Sequence, residues 1–300
     1  MDIPDLKTYN DGRKSVKALY SSLLGLQESG WILDTLGLSN GVYLDKKVSL
    51  PIIALRTPQS GRAVWLLSGI HGEEPAGPNA ISEPETIEYL KEMGKKMPIM
   101  LLPLCNPLGY LRNWRYINQS KWDKNSEGQS VGDSEHYLPS LSDFNNPRKE
   151  KPSCKESKLL TEYVVENLQK YSPLISLDFH EDNLLSKGYI YSQGRFGQRD
   201  KIARNIINIL LGSGIQIEKE GQTRFGESIN GGIVGNEQPD GSIDELLATR
   251  RIILNDKSFY KPTAETCIVI ETPAKKMKLE KRKKAHINVL LSLEDFINNI

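Results

Sequence analysis

The segment Gly69–Gly77, with the sequence GIHGEEPAG, places one histidine and two glutamates directly behind an apolar run. His71 and Glu74 have the HxxE spacing that allows two side chains to bind the same metal ion. In a chain with four histidines, chance alone gives such a pair roughly a third of the time at ordinary glutamate abundance. The hypothesis of a metal site therefore depends on further ligands elsewhere in the chain.

Two more candidate positions occur in the same context as His71, at the end of a predicted strand. His180 follows the apolar stretch LISLDF, and Glu271 follows CIVI. Ligands of an open α/β sheet bind beyond the carboxyl ends of its strands. Three distant parts of the chain are therefore expected to deliver His71, His180 and Glu271 to one crevice. Glu74 adds a carboxylate there, since Pro75 suits the first turn of a helix.

These residue types have a definite chemistry in combination. Two histidines and one carboxylate form an open zinc site whose fourth position is left for water. Zinc lowers the pKa of that water towards neutrality, and a carboxylate that is not a ligand must accept its proton. Glu271 is available for this role. A cation near the scissile carbonyl would stabilise the developing oxyanion, and Arg112 and Arg115 are the candidates.

Ordinary explanations of the same residues remain open on spacing alone. His180 is also typical of a hydrogen-bonded histidine at a strand end, and Glu271 of a helix cap or a partner for a lysine. Asp178 shares a strand face with His180 by alternation, which is compatible with a purely structural role. Three neighbouring acids would shift the ligand assignments by one position: Glu73, Glu181 and Asp182.

The elements that position these residues alternate between short apolar strands and helices. This pattern predicts an α/β fold with helices on both faces of a mostly parallel or mixed sheet. The predicted strands are 48–55, 62–70, 98–104, 174–179 and 266–270, and the predicted helices are 15–26, 84–93, 156–170, 201–211 and 281–300. Segments 113–155 and 221–241 lack the pattern, and loops this long are usually functional or mobile. No domain boundary is visible, so residues 1–300 are expected to form one domain.

The bulk composition excludes several classes of protein. A formal net charge of +1 gives no general attraction to nucleic acid or an anionic membrane. No apolar run approaches the length of a membrane span, and the N-terminus does not have the pattern of a signal peptide. Three scattered cysteines without a CxxC pair indicate a reducing compartment. These features predict a cytoplasmic protein with neither nucleic-acid nor membrane partners.

Six stretches, in order, resemble motifs of the zinc metallocarboxypeptidase superfamily, which also contains the succinylglutamate desuccinylases and aspartoacylases. They are SGIHGEEPAG, NPLGY, RNWR, DFNN, LDFHED and IVIETP. The resemblance covers about residues 42–275. It implies a single three-layer α/β/α domain around a twisted mixed sheet, with the terminal helices 15–26 and 281–300 packed on it.

The resemblance also implies roles for individual residues. The ligands of one zinc ion per chain would be His71, Glu74 and His180. Glu271 would act as general base and then acid, and Arg115 would polarise the carbonyl. Asp143 would accept a hydrogen bond from His71 and orient it, and Asn145 would contact the substrate carboxylate.

One departure from the family pattern affects substrate binding. Asn146 stands where the family has an arginine that binds the terminal carboxylate of the substrate in a bidentate manner. Arg148 and Arg112 are the candidates to replace it. Loss of the arginine weakens the expectation that a free carboxyl terminus is required.

The sequence therefore predicts a zinc-dependent hydrolase that cleaves a peptide or amide bond, with carboxypeptidase activity as the first choice. The alternative is a deacylase of small N-acyl amino acids. A third possibility is an inactive zinc-binding interaction module, although such a module has no need of both Glu271 and Arg115. The expected partner is a peptide or a small acylated amino acid.

Overall fold

The computed structural model of the protein describes residues 3–235, 239–275 and 277–300. Within these ranges, ten strands form a mixed sheet and two more form a separate hairpin. The strands are β1 (Ile32–Tyr43), β2 (Lys46–Arg56), β3 (Gly61–Ser68), β4 (Ile99–Leu102), β5 (Tyr171–Asp182), β6 (Tyr189–Ser192), β7 (Glu220–Gln222), β8 (Ser228–Asn230), β9 (Ile233–Val234), β10 (Arg251–Leu254), β11 (Lys257–Tyr260) and β12 (Thr266–Pro273). The large sheet has the order β1-β2-β4-β3-β5-β12-β6-β9-β8-β7, and the hairpin is β10-β11.

Helices cover both faces of the large sheet. They are α1 (Val16–Leu24), α2 (Ala76–Ile81), α3 (Pro84–Lys96), α4 (Pro107–Arg112), α5 (Lys155–Asn167), α6 (Lys201–Gly212), α7 (Ile243–Ala248), α8 (Leu279–Leu290) and α9 (Leu293–Asn298). Their starts follow ordinary capping chemistry. The Ser15 side chain accepts a hydrogen bond from the Ala18 N–H at 3.1 Å, and Asp200 accepts from the Ile202 N–H at 2.8 Å.

The centre of the sheet is parallel and buried on both faces. Strands β4, β3, β5 and β12 are parallel neighbours. Along β3, Val64 and Leu66 join the core on one face of the sheet, while Trp65 and Leu67 join the core on the other. Side chains of successive strand residues point to opposite faces, so a strand buried on both sides reads as a continuous apolar run.

The two cores are closed by different elements. Residues of α1, α3, α6, α8 and α9 pack into the first core. Residues of α5 and α7 pack into the second, together with Val131 and Leu138 from the long polar segment. The arrangement is therefore three layers, α/β/α, and the predicted fold class is confirmed.

Every predicted strand and helix has a counterpart in the structure, with boundaries that differ by a few residues. The long edge strand β1 has no counterpart among the predictions. It is only half buried, and Gly37 and Gly41 interrupt its pattern. At these positions a side chain would collide with Leu159 and Leu108, because an added Cβ would lie 2.6 Å and 2.5 Å from their methyl groups. The glycines permit α5 and α4 to pack closely on the strand.

The two predicted loop segments differ in outcome. Residues 113–154 contain no helix or extended strand, as expected. The segment 221–241 includes the short strands β8 and β9, which sequence analysis missed because each has three residues or fewer. Residues 236–238 of this segment lie outside the described part of the chain. Among the described helices, none has both the length and the apolar character needed to cross a membrane.

Candidate active site

Three neighbouring strands of the sheet carry the candidate residues to one edge. His71 lies just beyond the end of β3, His180 lies near the end of β5, and Glu271 lies in β12 directly opposite His180. After β3 the chain continues to β4 on one side and then to β5 on the other. This reversal of direction opens a crevice at the carboxyl ends of β3 and β5, where α/β sheets bind ligands.

His71, Glu74 and His180 converge on a single point. The Nδ1 atom of His71 lies 2.9 Å from one carboxylate oxygen of Glu74, and the Nδ1 atom of His180 lies 2.9 Å from the other. The two Nδ1 atoms are 3.2 Å apart. The Glu74 side chain is buried, and the three donor groups are close enough together to hold one metal ion.

The donor set fits a divalent cation. Asp178 lies 3.0 Å from the Nε2 atom of His180. A proton on Nε2 would face this carboxylate and leave a lone pair on Nδ1. That lone pair faces the carboxylate of Glu74 and the other Nδ1 atom, so three electron-rich atoms meet at one place. Such an arrangement is repulsive unless a positive charge lies between them, and nitrogen and oxygen donors of this kind are those that zinc takes in open sites.

The charges around the cluster shift the pKa values of its two histidines in opposite directions. Burial lowers the pKa of His180, but the carboxylates of Asp178 and Glu74 outweigh it and raise the pKa well above its usual value. Burial and the charge of Arg115 lower the pKa of His71 to about 3. Binding of a metal ion to Nδ1 of His180 must therefore displace a proton.

Asp178 lies beside His180 and has a second buried acid next to it. It is fully buried, and Asp244 lies close to both residues. Burial and the charge of Asp178 raise the pKa of Asp244. This carboxylate–histidine pair is the kind of support that fixes the ring of a metal ligand.

Asp178→Asn is expected to lower metal affinity by about 10–100-fold, because the amide presents a weaker acceptor to His180. Competition with a chromophoric chelator would measure the dissociation constant. Asp133→Asn is a suitable control, since Asp133 lines the same cavity but pairs with Lys149 at 3.4 Å. Unchanged affinity in the Asp178 variant would show that this carboxylate does not support the ligand.

Arg115 lies beside the three donors. Its Nη1 atom is 2.9 Å from Glu74 Oε1 and 3.3 Å from Glu73 Oε1, and its side chain is almost fully buried. The guanidinium faces the same cavity as His71 and Glu271. It can therefore hold Glu74 in place and present its remaining N–H groups to an oxygen in the cavity.

Glu271 faces the cluster without joining it. Its side chain is buried, and Oε2 has no hydrogen-bond partner among the described residues. Burial and the nearby charge of Glu74 raise its pKa. A buried carboxylate with a free oxygen and a raised pKa is well suited to accept a proton.

The acids that sequence analysis left as alternative ligands have other partners. Glu73 accepts a hydrogen bond from Asn183 at 2.9 Å and pairs with Arg115. Glu181 accepts from the Ala76 N–H at 2.7 Å, at the start of α2, and pairs with Arg282. Asp182 accepts from the Leu184 N–H at 2.6 Å. These contacts favour Glu74 as the carboxylate of the cluster.

The cluster lies in a cavity of about 460 Å³ whose lining includes residues that sequence analysis missed. Tyr191, Arg224 and Phe225 are the main ones. Tyr191 belongs to β6, and Arg224 and Phe225 belong to the turn between β7 and β8. Sequence analysis identified this region only as a glycine-rich loop, although an arginine in a predicted functional loop was a usable signal.

Four predicted residues are not brought to the site. Asp143 is exposed and accepts hydrogen bonds from the Asn145 N–H at 3.0 Å and the Asn146 side chain at 2.7 Å, rather than from His71. Asn145 is exposed in the same turn. Arg112 donates to the Val42 carbonyl at 2.7 Å, and Arg148 pairs with Glu245. None of the four residues belongs to the described lining of the cavity.

Gly72 connects the cluster to the NPLGY segment. A Cβ atom at this position would lie 1.9 Å from the carbonyl carbon of Gly109 and 2.2 Å from the nitrogen of Tyr110. The buried guanidinium of Arg13 bridges the two segments, donating to the carbonyls of Gly72 at 2.9 Å and Tyr110 at 2.7 Å. The backbone that carries His71 is thus packed directly against another backbone.

Gly72→Ala is expected to destabilise the protein by at least about 1–3 kcal/mol, the usual range for overpacking, because only backbone movement can relieve the clash. Urea unfolding followed by circular dichroism would measure this. The control is Gly212→Ala at the end of α6, where an added Cβ meets nothing within 4 Å. Equal stability of the two variants would contradict the close approach.

Solved structures share this fold. A protein of Shewanella amazonensis SB2B, provisionally described as a metallopeptidase, matches with a TM-score of 0.67 at 20% identity, over 95% of this chain and 92% of that chain. A metallo-carboxypeptidase of Burkholderia cenocepacia matches with a TM-score of 0.60 at 10% identity, over 96% of this chain and 70% of that chain. Bovine thrombin-activatable fibrinolysis inhibitor, solved in complex with tick carboxypeptidase inhibitor, matches with a TM-score of 0.57 at 14% identity, over 98% of this chain and 100% of that chain.

These matches show that the chain has the fold of metallopeptidases and carboxypeptidases, as the sequence resemblance predicted. No protein-family model matches the sequence. No curated protein matches it either. At identities of 20% or less the likeness concerns the fold, and the assignment of function depends on the residues of the site.

Proposed function

We propose that the protein is a zinc-dependent hydrolase that cleaves a peptide bond near a carboxyl terminus. The observation that carries the proposal is the pairing of two features in one cavity. A three-donor cluster of His71, Glu74 and His180 is suited to a metal ion, and Glu271 faces the same space with a free carboxylate oxygen. The fold shared with metallopeptidases and carboxypeptidases supports the same assignment.

The cluster would hold zinc, which when bound polarises a carbonyl group and lowers the pKa of a water molecule. Glu271 would take a proton from the attacking water at its free oxygen and later give it to the leaving amine. Its burial keeps the carboxylate poorly solvated, so it is a stronger base than an exposed glutamate. Arg115 would donate hydrogen bonds to the carbonyl oxygen as negative charge develops there.

Several residues of the chain serve to hold this arrangement in position. Asp178 fixes the ring of His180, and Arg115 fixes the carboxylate of Glu74. Glu181 accepts a hydrogen bond from Ala76 and its own N–H donates to Glu74 at 3.2 Å, which connects β5 to the turn before α2. Supporting contacts of this kind keep the reacting groups in place and reduce the cost of reorganisation during the reaction.

The test is hydrolysis by the zinc-loaded protein of two matched substrate series, followed by mass spectrometry of the products. One series contains N-blocked dipeptides with a free carboxyl terminus, and the other contains small N-acyl amino acids. We expect chelator-sensitive release of the last residue from the dipeptides. Cleavage confined to the acyl series would instead identify a deacylase. If folded protein with one zinc per chain cleaves neither series, a non-catalytic zinc-binding module becomes the better description.

A further inference from the structure

The cavity needs a cation for any anionic substrate, and the predicted candidates do not supply it. Arg112 and Arg148 lie outside the described lining and are engaged by a backbone carbonyl and by Glu245. Arg115 lines the cavity but is paired with Glu73 and Glu74. Among the described residues, the other arginine in the lining is Arg224.

Arg224 lies near enough to Glu271 for its charge to act on the pKa of that carboxyl, but among the described residues it forms no close ion pair. Across the described ranges it takes part in no ion pair, and its Nε atom is buried without a hydrogen-bond partner. The guanidinium lies 5.0 Å from the ring centroid of Phe225, which gives it an aromatic neighbour but no acceptor. A buried donor without a partner costs free energy, and a ligand that brings an acceptor would recover it.

The turn that carries Arg224 is held in place by other residues. The Thr223 N–H donates to the Glu227 carbonyl at 2.9 Å. The hydroxyls of Thr223 and Tyr191 both donate to the Glu227 carboxylate at 2.8 Å. Glu227 therefore accepts from two hydroxyls and makes no ion pair with Arg224. The exposed ring of Trp122 packs edge-on against Phe225, with ring centroids 6.4 Å apart, and connects the turn to the long polar segment.

The remaining charges of the cavity are mostly negative. Asp133, Glu135, Asp240 and Glu271 all contribute to its lining. An anionic group entering such a cavity is repelled unless a cation receives it. An unpaired guanidinium on the same cavity as Glu271 can receive a carboxylate through two parallel charge-assisted hydrogen bonds.

We infer that Arg224 is the anchor for a carboxylate of the substrate, in place of the arginine that Asn146 replaces in the sequence. This inference rests on the proposed function and names its substrate class, which is a chain that carries a carboxylate beside the scissile bond. Arg224 binds that carboxylate on the side of the cavity formed by the β7–β8 turn. The scissile carbonyl then lies between Arg115 and Glu271.

The experiment measures binding separately from turnover. The zinc-loaded Glu271→Gln variant is titrated by calorimetry with an N-acetylated dipeptide and with its C-terminal amide. We expect the acid to bind more tightly by about 10–100-fold, the range of a hydrogen-bonded charge pair, and Arg224→Ala in the same background to abolish this preference. Arg195→Ala is the matched control, because Arg195 also lies against the phenylalanine that follows it but is exposed and outside the described lining.

An acid preference that survives Arg224→Ala would overturn the inference, and so would equal binding of acid and amide before the substitution. A third ligand, a C-terminal amide with aspartate as its last residue, separates two sources of the carboxylate. Its Arg224-dependent binding would assign the anchor to side-chain carboxylates. Failure of the proposed function can be distinguished from failure of this inference. It would appear as an absence of cleavage by protein with intact Glu271, whether or not that protein prefers the acid over the amide.

Discussion

Glu271→Gln will retain its metal and lose about 10²–10⁴-fold in kcat, the usual cost of removing a general base. The amide has nearly the same shape as the carboxylate but cannot accept the proton of the attacking water. Folding should tolerate the change, because the substitution removes a buried charge and one oxygen of Glu271 has no hydrogen-bond partner among the described residues. Turnover of the dipeptide series and metal content by atomic absorption are the two measurements.

Glu135→Gln is the matched control for this prediction. Glu135 lines the same cavity but pairs with Lys149 at 2.6 Å. We expect the control to keep kcat within a few-fold of the starting protein. Near-normal turnover in the Glu271 variant would mean that another carboxylate takes the proton, and Glu73, which lies against Arg115, would be the next residue to substitute.

The second large effect is expected from removal of a histidine of the donor cluster. His180→Ala deletes one of three donors. Loss of a hydrogen-bond partner of a metal ligand lowers metal affinity by about 10–100-fold, and loss of the ligand itself should lower the affinity for zinc further. Activity should disappear at zinc concentrations that saturate the unmodified protein. Equilibrium dialysis against buffered zinc gives the affinity, and the thermal unfolding curve reports whether the variant is folded.

A second variant protects this test against a folding defect. His180→Ala leaves Asp178 buried without its histidine partner and removes one of the two histidine contacts of Glu74, which is destabilising. In His71→Ala only one carboxylate, that of Glu74, loses a histidine contact. The His71 side chain is also 13% exposed, so its removal is less disruptive. His136→Ala is the control, since His136 contacts Thr161 at 3.1 Å away from the cluster. Full zinc occupancy in both cluster variants would rule out the proposed ligand set.

Much of the fold was predictable because its central strands are buried on both faces. Such strands form unbroken apolar runs, and a polar residue at the end of a run is conspicuous. His71, His180 and Glu271 were found in this way. The edge strand β1 was not, because half burial and two glycines weaken its pattern. Sequence analysis therefore succeeded where burial is greatest and failed at the margin of the sheet.

The substrate-facing residues were harder to predict because their positions depend on the paths of loops. Asp143 and Asn145 resemble a family motif, but their turn closes through hydrogen bonds among its own residues and is not part of the described cavity lining. Arg148 is held by Glu245, which is distant in sequence. Arg224 lies in a short hairpin turn that no periodicity identifies. The paths of these loops decide which of the residues reach the cavity, and no local sequence pattern reveals those paths.

The order of strands in the sheet has a consequence for how the protein acquires its site during folding. His71 and His180 are separated by 109 residues along the chain, yet their Nδ1 atoms are 3.2 Å apart. β5 can pair fully with β12 only after the chain has been synthesised as far as Pro273, the last residue of β12. Non-local parallel pairing of this kind is slow, since loop-closure entropy must be overcome first. Complete assembly of the site should therefore be a late event, and an emerging chain that lacks β12 should contain the three donors without Glu271.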